Sequence, residues 1–401
     1  MVKGKQRENG EGSEGSMSKN GDQDTDLPPQ LRICKTNENW IEPPSTSRRI
    51  SDPSNLEVEL QDGDHTGIPS LNLDLQSLIL ARMPLSEYWK LCFVNRCYLS
   101  ILKSGEIFKI RREIGVKEHF VFLRTIGENS LCLWEFDGEF KTRRKLPNFQ
   151  TDYPFLREDK ESFSAGTHLL VSGKGIDGRV IWRYELAMNR WYKGPSMISP
   201  RCLFASATCG IFAFVAGGAR KGPCGEVLDT AERYNPECKS WDPLPRMNKR
   251  RCCCAGCYMD DRFYVIGGIN EDATLTSGEF FDEVTNKWVL IPNMYSLEGS
   301  PAAPLVAVVN NELYSLEASS NQLKVYLKSS NTWKQLGLVP VQADFSSGWG
   351  VAFKSLGDKL LVIGSSSIYT CCPDPDAKEL EWKLANRNIS QYIYNCTVMV
   401  A

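Results

Sequence analysis

Histidine is scarce in this chain, with three in 401 residues: His65, His119 and His168. It is the usual proton shuttle at neutral pH and the commonest metal ligand, so acid–base and metal-centred chemistry are poorly supplied. No Gly-x-Ser-x-Gly nucleophile elbow and no phosphate-cradling P-loop occur. No apolar run approaches the ~20 residues of a membrane-spanning helix. The opening "MVKGKQRENGEGSEGS" has no apolar core of the kind a signal peptide needs. Basic residues do not gather either: residues 1–65 sum to −5 and the remainder to +3, which is no nucleic-acid footprint. These absences lead us to expect a protein of the cytoplasm, the nucleus or both, with neither membrane nor nucleic acid as partner. In a reducing compartment the 15 cysteines are expected as thiols.

What is present divides into three textures. Residues 1–65 are rich in Gly, Ser, Asn, Asp, Glu and Pro and hold too little apolar surface to offset chain entropy, so a disordered tail is expected. Within it, Ser51 follows Arg48 by three residues, the pattern of a basophilic kinase site. Residues 66–115 read as a small helical module. "LNLDLQSLILARMP" (71–84) sets Leu71, Leu75, Leu78, Ile79 and Arg82 at helical spacing, and Pro84 ends the run. Strand-like alternation begins at "HFVFLRT" (119–125), and from 116 to 401 the chain is short β segments separated by Gly, Asn, Asp and Pro.

An internal repeat governs that last region. Tryptophans stand at 191, 241, 288, 333 and 382, with gaps of 50, 47, 45 and 49. Seven residues before the first four stands an aromatic: Tyr184, Tyr234, Phe281 and Tyr326. Diglycines close an apolar strand at Gly217–Gly218 and again, 50 residues on, at Gly267–Gly268. Each unit reads as a four-stranded antiparallel meander whose aromatics pack against the neighbouring sheet, the signature of propeller blades. Five units are explicit. A sixth is fragmentary at "LCLWEFDGEFKTRRKLP" (131–147), which keeps Phe136 but has Arg143 where tryptophan belongs. Joining it to "QYIYNCTVMVA" (391–401) closes a ring of six blades and removes exposed sheet edges.

The segment "KRRCCCAGCYMDDRFYVIGG" (249–268) carries Cys252, Cys253, Cys254 and Cys257 and suggests a metal or redox site. Aligning the two diglycines places Cys252 on Cys202, Cys253 on Leu203, Cys254 on Phe204 and Cys257 on Ala207. Those are packing positions of an innermost strand, where cysteine serves as a small buried hydrophobe. The same alignment places Arg251 on Arg201. Loops after a second strand share a face with loops between blades, so Arg201, Arg220, Lys221, Lys249, Arg250 and Arg251 are expected to converge there and suit an acidic or phosphorylated segment.

The diglycine, tyrosine and tryptophan at this spacing resemble kelch repeats across 119–401. Residues 71–115, with "ARMP" and "LCFVNRCYLSILKSGEIFKIRR", resemble an F-box. Together they resemble the plant F-box/kelch-repeat proteins. The chain departs from the usual F-box opening Leu-Pro, having Leu71–Asn72. The resemblance implies a mainly β fold: a six-bladed kelch-type β-propeller (116–401) preceded by a small α-helical F-box module and a disordered N-terminal tail. It implies a non-enzymatic subunit without cofactor or metal, in which the F-box docks a Skp-type adaptor, and through it a cullin scaffold, and the propeller holds an unidentified protein target for ubiquitination. Leu71, Leu75, Ile79, Leu80, Pro84, Leu91 and Val94 match the family's apolar adaptor-binding pattern. The competing implication is a kelch scaffold acting outside ubiquitination. Oxidase chemistry on a propeller would need histidine and tyrosine ligands, and the region holds only His119 and His168.

Overall fold

Two residues seven apart face each other directly when a short hairpin joins their strands, and the repeated aromatic–tryptophan spacing does this. Tyr184 pairs with Trp191, Tyr234 with Trp241, Phe281 with Trp288 and Tyr326 with Trp333 across adjacent antiparallel strands. Their ring centroids lie 5.2, 5.2, 5.6 and 5.3 Å apart. Each tryptophan Nε1–H then donates to a carbonyl in the segment that leads out of the preceding blade. The acceptors are Pro147 (2.8 Å), Pro195 (3.1 Å), Pro245 (2.8 Å) and Met294 (2.8 Å). One aromatic pair thus fills the space between sheets and one hydrogen bond sets the spacing of neighbours. In the fragmentary unit Phe136 pairs with Arg143, whose guanidinium lies 4.5 Å from the Trp134 ring instead.

The computed structural model describes residues 71–401 except 127–130, 149–150, 158–159, 221–224, 272, 296–302, 342–350, 365–366, 378 and 388–392. The tail at 1–65 with Ser51, and Lys221, lie outside the described residues. The chain is mainly β and builds six four-stranded antiparallel sheets, the blades of a propeller. Blade 1 comprises Ile393–Val400, His119–Ile126, Leu131–Asp137 and Arg143–Lys145 in that order. Blade 2 runs from Glu161–Ala165 through His168–Gly175 and Gly178–Glu185 to Arg190–Lys193. Blade 3 has Ala205–Cys209, Phe212–Ala216, Ala231–Asn235 and Ser240–Leu244; blade 4 has Ala255–Met259, Arg262–Ile266, Gly278–Asp282 and Lys287–Ile291. Blade 5 has Leu305–Val309, Glu312–Glu317, Gln322–Leu327 and Thr332–Leu338, and blade 6 has Val351–Leu356, Lys359–Gly364, Ser367–Cys371 and Lys383–Arg387. The first strand of each blade lies beside the first strand of the next, and Ile393–Val400 touches both blade 2 and blade 6. The ring closes through that strand.

The helices before the propeller are α1 (Leu73–Ala81), α2 (Tyr88–Leu91), α3 (Arg96–Ser104) and α4 (Glu106–Glu113), which fit an F-box. The departure at Asn72 has a local reason. Its Oδ1 accepts from the Leu75 N–H at 2.8 Å and caps α1, as Asn95 caps α3 through the Tyr98 N–H at 2.8 Å. Gly105, with φ of 76°, joins α3 to α4 in a left-handed conformation that glycine adopts without penalty. Arg111 on α4, 2% exposed, fastens the module: its Nη1 donates to the Ala81 and Met83 carbonyls, both at 2.8 Å. Its Nη2 reaches Glu118 Oε1 at 2.5 Å, an oxygen that also accepts from the Leu85 N–H. The buried Leu80, Leu85, Tyr88 and Ile107 of the helices share one core with Phe122, Leu186 and Met399 of blades 1 and 2. Among the described residues no helix is long and apolar enough to cross a membrane.

Candidate interaction surfaces

In a meander the first–second and third–fourth connections lie at one end of the blade, the second–third and inter-blade connections at the other. The helical module occupies the first end. Leu186–Met188, a third–fourth connection, packs beside α2, with Cys92 Sγ and Met188 Sδ 3.7 Å apart. Arg112 on α4 reaches Glu237, in the corresponding turn of blade 3, at 3.3 Å. Glu118 and Ala401 exchange backbone hydrogen bonds of 2.8 and 2.9 Å there. The diglycines and the arginine-bearing loops therefore sit at the opposite end.

On the module, the structure separates core from surface. Leu80 (5% exposed) and Leu91 (8%) belong to the core, which removes them from the seven residues expected to contact an adaptor. Leu75, Ile79 and Val94 stand out at 46, 45 and 60% exposed, Pro84 is exposed, and Leu71 is half-buried. Leu75 and Ile79 are one turn apart on the same helix face. Two further exposed apolar side chains escaped the sequence reading, Leu73 (60%) and Phe93 (66%). The adjacency of Phe93 to Val94 in the short connection between α2 and α3 was the available signal.

At the opposite end two of the six expected cations are not on the surface at all. Arg201 and Arg251 are 0% exposed. Arg251 Nη1 donates to the Gly267 and Ser277 carbonyls, both at 2.8 Å, and Nη2 meets Glu279 at 2.7 Å. Arg201 repeats this with the Gly217 carbonyl (2.9 Å), the Thr230 carbonyl (2.6 Å) and Glu232. The two glutamates also accept from backbone N–H groups of the inter-blade loops, Ile198 and Ser199 in one blade and Asn248 and Lys249 in the next. Each Arg–Glu pair is a buried strut that fixes the loop, so neither arginine touches a target. The diglycine makes room for it: a Cβ on Gly217 would lie 2.4 Å from the Arg251 carbonyl oxygen. The missed signal was periodicity, because Glu232 and Glu279 both stand two residues before the repeat's aromatic.

The cations that do reach solvent are interleaved with carboxylates. Arg220 pairs with Glu226 at 3.3 Å, and Arg250 lies 3.9 Å from Glu226 and 3.8 Å from Glu271. Lys249 is half-buried. Among the described residues the loop face is mixed in charge, not a basic patch.

The cysteines occupy the packing positions the repeat assigns. Cys252 and Cys202 make equivalent backbone bridges to Ile269 and Ala219. Cys254 and Cys257 are 6 and 7% exposed, and burial pushes both thiols up to about 12. Among the described residues no group of three or more His, Cys, Asp or Glu is placed to hold a metal ion.

The Kelch motif matches residues 200–248 and 250–295, the two blades that carry both the diglycine and the buried Arg–Glu strut. The chain is 47% identical over 354 residues to the Arabidopsis thaliana F-box/kelch-repeat protein At3g27150, covering 83% of each. It is 40% identical over 356 residues to At1g26930 of the same name and organism, again covering 83% of each. With F-box/kelch-repeat protein SKIP11, also from Arabidopsis thaliana, identity is 39% over 358 residues, 84% of this chain and 75% of the relative.

Proposed function

The chain belongs to the F-box/kelch-repeat family, and on that footing we propose that it is the substrate-recognition subunit of a Skp–cullin–F-box ubiquitin ligase. The observation that carries the proposal is the set of exposed apolar residues Leu73, Leu75, Ile79, Phe93 and Val94 on a module otherwise fastened to the propeller. An exposed apolar patch of this kind suits a protein partner, here a Skp-type adaptor. The target then binds at the far end of the propeller, on loops held by the Arg–Glu struts. The protein performs no chemistry in this reading. It holds the target near a ubiquitin-loaded enzyme and raises its effective concentration. The cytoplasm, the nucleus or both would be its place of action.

The test is co-purification of a Skp-type adaptor with the intact chain and with L75E/I79E. These positions are surface, whereas a charge at Leu80 would break the core. Loss of about a hundredfold in adaptor affinity with an unchanged melting temperature supports the proposal, since apolar anchors dominate such interfaces. Failure of the intact chain to bind any such adaptor would favour an interaction scaffold outside ubiquitination. On the target side, K249E/R250E alters the charge of the loop without replacing a strut side chain, and unchanged target capture would remove those two residues from the recognition face.

A further inference from the structure

The six innermost strands surround an axial cavity of about 650 Å³, within the ~300–1,000 Å³ range of small-molecule sites. Its lining contains Arg111, Arg112, Lys117, His119 and Lys354 and not one aspartate or glutamate. The guanidiniums are engaged: Arg111 by Glu118 and backbone carbonyls, Arg112 by Glu237. Lys117 and Lys354 are both exposed, and neither has an ion-pair partner among the described residues. Most of the hydroxyls along the bore are already committed. Thr397 donates to Ser162 at 2.7 Å, Ser162 to Asn395 at 3.0 Å and Ser164 to the Val398 carbonyl at 3.0 Å. Ser206 and Ser355, on the walls contributed by blades 3 and 6, are half-buried and line the same cavity.

Two ammonium groups without an ion-pair partner among the described residues, and hydroxyl donors, in a cavity lined by no aspartate or glutamate side chain, fit negative charge. We propose that the axial cavity binds a small organic anion, bearing carboxylate or phosphate, held by Lys117 and Lys354 with Ser206 and Ser355 as further donors. Phe108 and Arg112 of α4 line the same cavity, so the bound anion touches both the helical module and the propeller. The site lies at the module's end of the molecule, opposite the target loops, and does not depend on the ligase reading.

The experiment is calorimetric titration of the intact chain with citrate and, separately, with pyrophosphate, at an ionic strength held constant with sodium chloride. Saturable binding of one or both is expected, and the preferred probe distinguishes a carboxylate from a phosphate ligand. In K117M/K354M, which keeps the apolar stems, affinity should fall about tenfold or more, the effect of ~1.4 kcal/mol of lost interaction. K193M, on the outer strand of blade 2, should bind as the wild type does. Thermal melts identify any variant that fails to fold, and K354M alone must still weaken binding. Absence of saturable binding of both probes, or equal binding by wild type and K117M/K354M, overturns the proposal.

Discussion

A guanidinium removed from water is tolerated when its charge and most of its donors are matched, and Arg251 meets that condition although its Nε finds no partner among the described residues. Two carbonyls and a carboxylate surround it, and the carboxylate is itself satisfied by loop amides. Removing one partner of such a pair typically costs ~3–5 kcal/mol, because a buried charge remains alone. A sequence reader sees "KRRC" and assigns both arginines to the surface, since arginine usually lies there. Only the recurrence of Arg and Glu in phase with the repeat tells Arg251 from its neighbour Arg250. A second buried group yields a pH prediction. His168 is 7% exposed, with Nδ1 3.3 Å from the Tyr234 hydroxyl, and burial foremost, then Arg183 and Lys239, holds its pKa down to about 3. Glu185 lies 3.7 Å away but is engaged by Arg183 at 2.9 Å, so it does not restore the charged form. A depressed folded-state pKa means the contribution is complete above the unfolded value near 6.5 and is lost as pH falls from there toward 3. From pH 7.5 to 5.0 this one group should remove about 2 kcal/mol of stability. Urea unfolding at both pH values checks it: H168Q, though weaker at pH 7.5, should lose about that much less than the wild type over the interval.

At the scale of elements, the helical module was legible in outline and not in its partition. Apolar periodicity showed a helix ending before Pro84, but a short amphipathic helix with partners on two sides has apolar residues on both faces. Spacing alone does not separate Leu80, in the core, from Ile79, beside it and exposed. Asn72 was legible as a departure, though its purpose was not. Its backbone φ of −68° is the value proline would enforce, while its side chain supplies the cap that proline lacks. N72A should therefore cost about 1 kcal/mol of α1 stability, seen as roughly fivefold faster amide exchange in Leu75–Leu78. N72P should cost less, because a preset φ offsets part of the lost cap. Equal exchange in wild type and N72A would mean that tertiary packing alone holds the helix start.

For the whole molecule, the repeat made the architecture readable because every blade repeats one solution to one packing problem. Aromatic–tryptophan pairs in direct register mark four of the six sheets; Trp382 and the fragmentary unit at 131–147 supplied the other two. The weakest unit by sequence, blade 1, is also the one the fold assembles from its two distant parts. Its innermost strand Ile393–Val400 pairs with His119–Ile126, Val121 facing Val398 and Leu123 facing Cys396. That strand buries Ile393, Cys396 and Met399, and it stands between blades 2 and 6. Deleting 393–401 would therefore do three things at once. It would uncover Val121 and Leu123, now fully buried; it would leave blade 1 with a bare edge; and it would open the ring. Those losses act together against the ~5–15 kcal/mol by which a domain of ordinary stability persists. The truncated chain is expected to aggregate or to be digested by protease under conditions where the intact chain survives. Because the gap has the shape of one missing strand, a peptide spanning 388–401 added during refolding should restore a soluble species that elutes with the intact chain in size-exclusion chromatography. A truncated chain that remained soluble and protease-resistant without the peptide would show that five complete blades hold the propeller unaided.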